Sequence, residues 1–318
     1  MSVFLVCLAA VVALYLLIYY NFLKGSRCKS TAMLTGKTAI VTGANTGIGK
    51  TTALELAKRG ARVILACRSK ERAEAAVYDI RRESGNNQVV YMHLDLASLR
   101  SVRSFTETFL KQEPRLDLLI NNAGVIGSGR TEEGFGLAFG VNHLGHFLLT
   151  CLLLERLKQT GSARVVNVSA LLYHLGSVHF PTLAALKDLV SGQSTLDNIQ
   201  AYCSSKLCNV LFTRELANRL EGSGVTCYSL HPGVIRTEIG RNMSLWLRLL
   251  TVPLIWLFFL DAESGAQTTL HCSLQEGIES LNGRFFSDCA VLEVNAKARD
   301  DALAKKLWEE SERLCGLS

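Results

Sequence analysis

Past residue 37 the chain alternates short apolar runs with longer, more polar stretches. The runs at 38–42, 62–67, 89–93, 116–120, 164–168 and 225–230 predict strands, and the stretches at 50–59, 71–82, 98–112, 142–157 and 202–220 predict helices. Most strand segments are apolar on both faces, as a sheet sandwiched between two helix layers requires. Strands that alternate with helices predict an α/β fold on a doubly wound parallel sheet. The 318 residues fit a single large domain of this kind. No internal repeat or low-complexity linker divides it, so the chain reads as a leading segment (1–23), a basic linker (24–36) and one domain (37–318).

The leading segment changes the picture of where the domain sits. Residues 3–20 carry no charge, close to the roughly 20 apolar residues that span a bilayer as a helix. Met1 and Ser2 lack the positive start of a secretory signal, so an N-terminal membrane anchor is expected over a cleaved signal; cleavage would make the protein secreted. Lys24, Arg27 and Lys29 all follow the apolar run, which puts the domain on the cytosolic side of the membrane. A second apolar run at 245–260, with Arg248 its one charge and Pro253 interrupting it, reads as a lid touching the bilayer surface or as packed core. The net charge of +6 is too diffuse for a nucleic-acid surface. Ten cysteines are scattered without Cys-x-x-Cys spacing, which argues against a metal site and a disulfide framework and for small buried hydrophobes in a reducing compartment.

Candidate chemistry begins where the first strand breaks into Gly43-Ala44-Asn45-Thr46-Gly47-Ile48-Gly49 and enters a helix. Gly43 permits the tight turn, Gly47 lets backbone N–H groups approach a pyrophosphate, and Gly49 lets the helix pack closely on the sheet. The helix N-terminus then faces the anion. About 20 residues on, where a free ribose hydroxyl would meet an acid, the chain offers Arg68, whose forked guanidinium suits a 2′-phosphate and favours NADP(H). Asp95, after the third strand, is placed either to contact the adenine or to cap the next helix. Farther along, Tyr202 and Lys206 stand one helical turn apart, so an ammonium near the phenol is expected to lower its pKa toward a range useful for proton exchange with an alcohol.

The glycine turn, Asn121-Asn122-Ala123-Gly124, Val141-Asn142-His143, Tyr202 to Lys206 and Pro232-Gly233, in this order, resemble the short-chain dehydrogenase/reductase family. Finer segments, including Leu65-Ala66-Cys67-Arg68 and Gly265-Ala266-Gln267-Thr268, look like its microsomal retinol dehydrogenase branch. The resemblance implies a Rossmann-type fold and hydride transfer between NADP(H) and a lipophilic alcohol or carbonyl. Tyr202 would be the proton donor or acceptor, and Lys206 would bind the nicotinamide ribose. Asn142 would hold a relay water, Asn122, Ala123 and Gly124 would back the adenosine, and Pro232 to Thr237 the nicotinamide. One position departs from the pattern: where the family usually places a substrate-binding serine, the chain reads Asn167-Val168-Ser169-Ala170. Side chains alternate along a strand, so Ser169 should point away from where Ala170 points. A cofactor-binding protein with weak or no catalysis is therefore the alternative to an enzyme. The long insertion at 171–201, with Leu172, Tyr173, Phe180, Leu183 and Leu186, is expected to wall an apolar substrate cleft, and Tyr173 or His174 is the candidate replacement donor.

Overall fold

The computed structural model describes residues 25–180, 195–235 and 260–317. The expected anchor, Lys24, Leu183, Leu186, Thr237 and residues 245–259 of the second apolar run lie outside the described residues. Strand β1 (Thr38–Thr42) leads into helix α1 (Gly47–Lys58), then β2 (Arg62–Cys67), α2 (Lys70–Ser84), β3 (Val89–His93), α3 (Leu99–Gln112) and β4 (Leu118–Asn121). A short helix (Leu137–Phe139) and a π turn (Gly140–Leu144) open α4 (Gly145–Thr160), and β5 (Arg164–Val168) follows. Then come α5 (Thr195–Arg219), β6 (Thr226–His231), α6 (Ala262–Leu274), the hairpin of β7 (Phe285–Ser287) and β8 (Ala290–Val291), and α7 (Asp301–Cys315).

The eight strands form one sheet in the order β3-β2-β1-β4-β5-β6-β7-β8. All neighbours pair in parallel except β7 and β8, whose antiparallel turn holds Asp288 (φ 52°) and Cys289 (φ 58°), the positive φ angles that a two-residue hairpin demands. Along β1 the pleat sends Ile40 into one core layer and Ala39 and Val41 into the other. Helices α1, α2 and α6 cover one face, and α3, α4, α5 and α7 cover the other. The winding reverses between β1 and β4, and the crevice at the C-terminal ends of these strands is the place where such sheets bind ligands.

The expected strands agree with the structure to within two residues, whereas several helices begin elsewhere. Helix α1 starts at Gly47 rather than at residue 50, because the glycines themselves form its first turn. Helix α3 starts one residue late because Ser98 is its N-cap, accepting from the Ser101 amide, so Asp95 is not the cap. The run Leu137–Thr160 is long and apolar enough to cross a membrane, and most of it is buried in the core between α3, α5 and α7. Among the described cysteines all are free, and Cys67, Cys203, Cys208, Cys227, Cys272 and Cys315 are buried.

The N-terminal edge of the sheet is closed by charge pairs. The buried Asp117 carboxylate accepts from the Thr38 amide at 2.9 Å and from both arms of Arg115 at 2.7 and 2.8 Å, with Lys37 at 3.1 Å. Beside it, Glu113 takes a forked bond from Arg62 at 2.5 and 2.7 Å, and its main-chain carbonyl accepts from Arg156.

Candidate functional site

At the opposite edge the glycine turn is built as its spacing predicts. Gly43 (φ 65°) and Gly47 (φ 54°) occupy the left-handed region, and a Cβ on Gly47 would meet open space rather than protein. A Cβ on Gly49 would stand 2.5 Å from both the Gly43 carbonyl and the Asn122 side chain, so glycine is what allows α1 to pack this close. Gly43, Asn45, Thr46, Gly47, Ile48 and Gly49 line one wall of a cleft of about 580 Å³, a volume in the range of small-molecule sites. Asn122, Ala123 and Gly124 after β4, and Ile235 after β6, line it as well.

Arg68 and Asp95 both border the cleft. The sequence reading missed Arg72, which lines it too and stands four residues beyond Arg68 in the first turn of α2. The available signal was a second arginine close after Arg68, at the start of the helix expected at 71–82. Among the described residues no carboxylate pairs with either guanidinium. The Asp95 carboxylate accepts from the Ala97 amide at 2.9 Å, which shapes the turn ahead of α3.

The ends of β1, β4 and α4 are joined by a network that the sequence did not reveal. The Thr42 hydroxyl accepts from the Asn122 and Ala123 amides, each at 2.9 Å, and lies 2.8 Å from His146 Nε2. The Asn122 side chain in turn donates to the Thr42 carbonyl at 2.8 Å. Burial pushes the His146 pKa down to about 4, so its ring is neutral at physiological pH. Its Nδ1 lies 3.1 Å from the Asn142 carbonyl, an acceptor, and must therefore carry the proton. Nε2 then accepts, and the Thr42 hydroxyl, with both lone pairs engaged, donates to it. Behind this layer Asn121 donates to Thr150 at 3.0 Å and to Asn167 at 2.8 Å, which ties β4 to α4 and β5.

Asn142 sits in the π turn, fully buried. Its Oδ1 accepts from the Val125 amide at 2.8 Å, and its Nδ2 donates to the Val125 carbonyl at 3.0 Å and to Ser205 at 2.9 Å. The side chain is thus a clamp between the strand-end loop and α5, and a second lone pair on Oδ1 remains for a further donor. On α5, Lys206 Nζ donates to the Val168 carbonyl at 3.0 Å and lies 5.5 Å from the centroid of the Tyr202 ring. A Cβ added to Gly124 would be 3.4 Å from this ammonium, so the tyrosine–lysine pair adjoins the cleft wall.

Electrostatics at the pair differ from the sequence expectation. Burial, assisted by Cys203, pushes the Tyr202 phenol up to about 12 instead of down. Lys206 is buried as well, which lowers it to about 8, still mostly protonated at pH 7. Nothing offsets the desolvation of the phenol, because the ammonium faces the ring and the Val168 carbonyl.

Ser169 is turned away from the cleft side of the strand: its hydroxyl donates to the Lys206 carbonyl at 2.7 Å and braces α5. Ala170 is buried and brings no polar side-chain atom. Tyr173 does not wall a substrate cleft, because its ring is fully buried in the core, 5.2 Å from Phe285. His174 stacks on that ring at 4.1 Å, with Asn295 3.1 Å from its Nδ1 and Lys297 on its carbonyl at 2.6 Å. Both candidate replacement donors are therefore engaged in packing the turn that follows β5. Pro232 directly follows β6, and the Gly233 φ of 94° turns the chain toward Ile235.

Comparison with known proteins agrees with the fold. The sequence profile described as short chain dehydrogenase matches residues 37–192 and 188–248. The chain is 56% identical over 304 residues to dehydrogenase/reductase SDR family member 13 of Bos taurus, covering 95% of this chain and 79% of that protein. It is 50% identical to retinol dehydrogenase 11 of Homo sapiens over 93% of this chain and 91% of that protein. A crystal structure of an uncharacterized protein from Mycobacterium Paratuberculosis superposes with a TM-score of 0.73 at 33% identity, covering 92% of this chain and 98% of the other.

Proposed function

This chain belongs to the short-chain dehydrogenase family and is an oxidoreductase closely related to retinol dehydrogenases, and we propose that it interconverts a lipophilic alcohol and its carbonyl with NADP(H). Retinol and retinal, or a related lipid aldehyde, are the substrate class. The observation that carries the reading is the half-buried Tyr202 paired with the buried Lys206, whose ammonium stands against Gly124 in the wall of the cleft.

The residues present fit the cofactor, since Gly47 leaves open space where a side chain would stand, and Arg68 and Arg72 line the same cleft. Residues Gly43 to Gly49 would hold the pyrophosphate, Arg68 and Arg72 the 2′-phosphate, Asp95 the adenine, and Pro232 with Thr237 the nicotinamide. When bound, NADP(H) supplies or accepts the hydride. Tyr202 gives its proton to the carbonyl oxygen in reduction and takes it back in oxidation. A phenol near 12 keeps that proton at rest, so the acid for reduction is ready, while oxidation needs the Lys206 ammonium drawn to the phenolate. Asn142 fixes the loop and α5 that carry these groups, and its free lone pair suits a relay water.

The anchor at 1–23 would hold the enzyme on the endoplasmic reticulum membrane with its domain in the cytosol. The test is NADPH oxidation by the full chain in microsomes with a panel of retinal, steroid and fatty aldehydes. Turnover of at least one apolar aldehyde is expected. A chain that binds NADPH and reduces none of them is the second reading, a cofactor-binding protein, which the missing hydroxyl at Ala170 favours.

A further inference from the structure

We infer that the protein rests on a bilayer with the C-terminal edge of its sheet, the edge that carries the cleft, turned toward the lipid. The inference rests on residues 3–20 being a membrane anchor and adds which face that anchor presents. A lipophilic substrate then reaches the mouth of the cleft from the membrane rather than through water.

The path of the chain from Gly25 to β1 carries the argument. The Ser26 amide donates to the Asp288 carboxylate, and the Ser26 hydroxyl does so at 3.1 Å. Asp288 lies in the turn that follows β7, hence at the C-terminal edge, because β7 runs parallel to β6. Arg27 then pairs with Glu263 at 3.2 Å in the first turn of α6, the Cys28 amide donates to Gln267 at 3.0 Å, and Ser30 donates to the Leu274 carbonyl at 2.9 Å. Helix α6 itself starts at the C-terminal edge, since Leu260 just ahead of it bridges to Ile235 after β6. The segment therefore descends the full length of α6 and reaches the opposite edge only where the Leu34 amide donates to the Arg59 carbonyl at 2.8 Å.

The domain thus meets the preceding apolar run at the cleft edge, not at the start of β1. Residues 21–24 separate that run from Gly25, and four residues reach at most about 14 Å when extended. So short a tether, attached at a stapled point, keeps this edge near the membrane surface. The exposed side chains agree. Leu171, Leu172, Leu175, Leu196, Ile199 and Val234 all follow the C-terminal end of a strand or open the helix that packs there, with exposures from 37% to 77%. Away from that edge Met33 and, in the middle of α2, Tyr78 are exposed, and the opposite edge carries the ion pairs of Lys37, Arg62, Glu113, Arg115 and Asp117. A surface whose apolar side chains are gathered at the end where the tether leaves fits the headgroup and acyl boundary.

The test uses the full chain in phosphatidylcholine vesicles with brominated acyl chains. A fluorescent amino acid replaces Leu196 in one variant and, in another, Ser162, an exposed turn residue ahead of β5 at the opposite edge. The label at 196 should lose roughly half of its emission or more, as expected for a side chain seated 5–10 Å into the boundary, and the label at 162 almost none. Equal quenching at both positions, or none at either in protein that floats with the vesicles, overturns the inference while leaving the anchor standing. Emission at 196 that follows protein density rather than bromination assigns the patch to a second copy and overturns it too. Protein that fails to float removes the anchor, and the inference with it, whereas turnover of apolar aldehydes is read independently in either case.

Discussion

The two edges of the sheet are built from the same kinds of residue and do opposite things with them. At the N-terminal edge Asp117 and Glu113 are buried and matched by cations at hydrogen-bond distance. At the C-terminal edge Arg68 and Arg72 have no carboxylate partner among the described residues, and Lys206 is buried with its ammonium on the Val168 carbonyl. Charge that is satisfied inside the protein holds the fold, and charge left for a ligand marks where one binds. The cleft edge has a second contrast within it. The half at the ends of β1 and β4 is tied through Thr42, His146, Asn142 and Val125, whereas the half after β5 offers an alanine and a turn packed inward.

The largest effect is expected where the cleft meets the reacting oxygen. Tyr202→Phe removes the only proton donor assigned and should lower turnover roughly 100 to 10,000-fold, the usual worth of a general acid. NADPH affinity, measured by fluorescence titration, should stay within about twofold, because no cofactor contact is assigned to the hydroxyl alone. Residual turnover near that of the wild type would move the acid to another residue. Next comes Ala170→Ser, which supplies the donor missing from the substrate half and should raise aldehyde reduction roughly 10 to 1000-fold if the wild type is slow. A fast wild type that is indifferent to the serine means that the substrate half is already complete by another route, and the contrast within the cleft edge then collapses.

How much of this was legible before the structure follows from the range of the interactions. Strands β1 to β6, the glycine turn and the Tyr202–Lys206 spacing are local patterns in which the periodicity and the chemistry share a few adjacent residues. The β7–β8 hairpin escaped because its strands are three and two residues long. The direction of the phenol pKa is not legible in the sequence, because spacing along a helix gives the neighbour but not the burial, and burial decides the sign here. The Thr42–His146 contact joins residues 104 apart in sequence, and no local pattern announces it. Tyr173 and His174 carry donors in the insertion, yet the turn after β5 folds the Tyr173 ring onto Phe285 and stacks His174 on Tyr173.

A smaller effect tests whether the free guanidinium at the cleft edge is a ligand site. Arg68→Asp should shift preference from NADPH toward NADH by about 10 to 100-fold in kcat/KM, since a charge-assisted hydrogen bond is worth about 1.5–3 kcal/mol. Arg72, on the same rim, should leave some NADPH preference until Arg68→Asp is combined with Arg72→Ala. A wild type that already uses both cofactors equally removes the 2′-phosphate from the assignment.

The smallest kinetic effect is expected at the opposite edge, and it is the one that makes the comparison testable as a whole. Burial alone would push the Asp117 carboxyl up, but the bond from Arg115, the Thr38 amide and Lys37 together outweigh it and hold the group below the ordinary carboxylate range. A folded-state pKa below the unfolded one contributes stability above the unfolded value, near 3.9, and loses it as the pH falls through the folded value. Asp117→Asn keeps the shape and removes the charge, so at pH 7 it should cost about 1–3 kcal/mol, read as a lower midpoint in urea. The gap between wild type and variant should hold from pH 7 down to about 5, narrow below about 4, and close in more acidic solution. KM for NADPH and kcat should stay unchanged at a temperature where both proteins are folded, because the carboxylate and the cleft lie at opposite ends of the strands. A variant that is as stable as the wild type but weaker for NADPH would mean that the two edges are coupled through β1 and β4, and the division between a holding edge and a binding edge would be wrong.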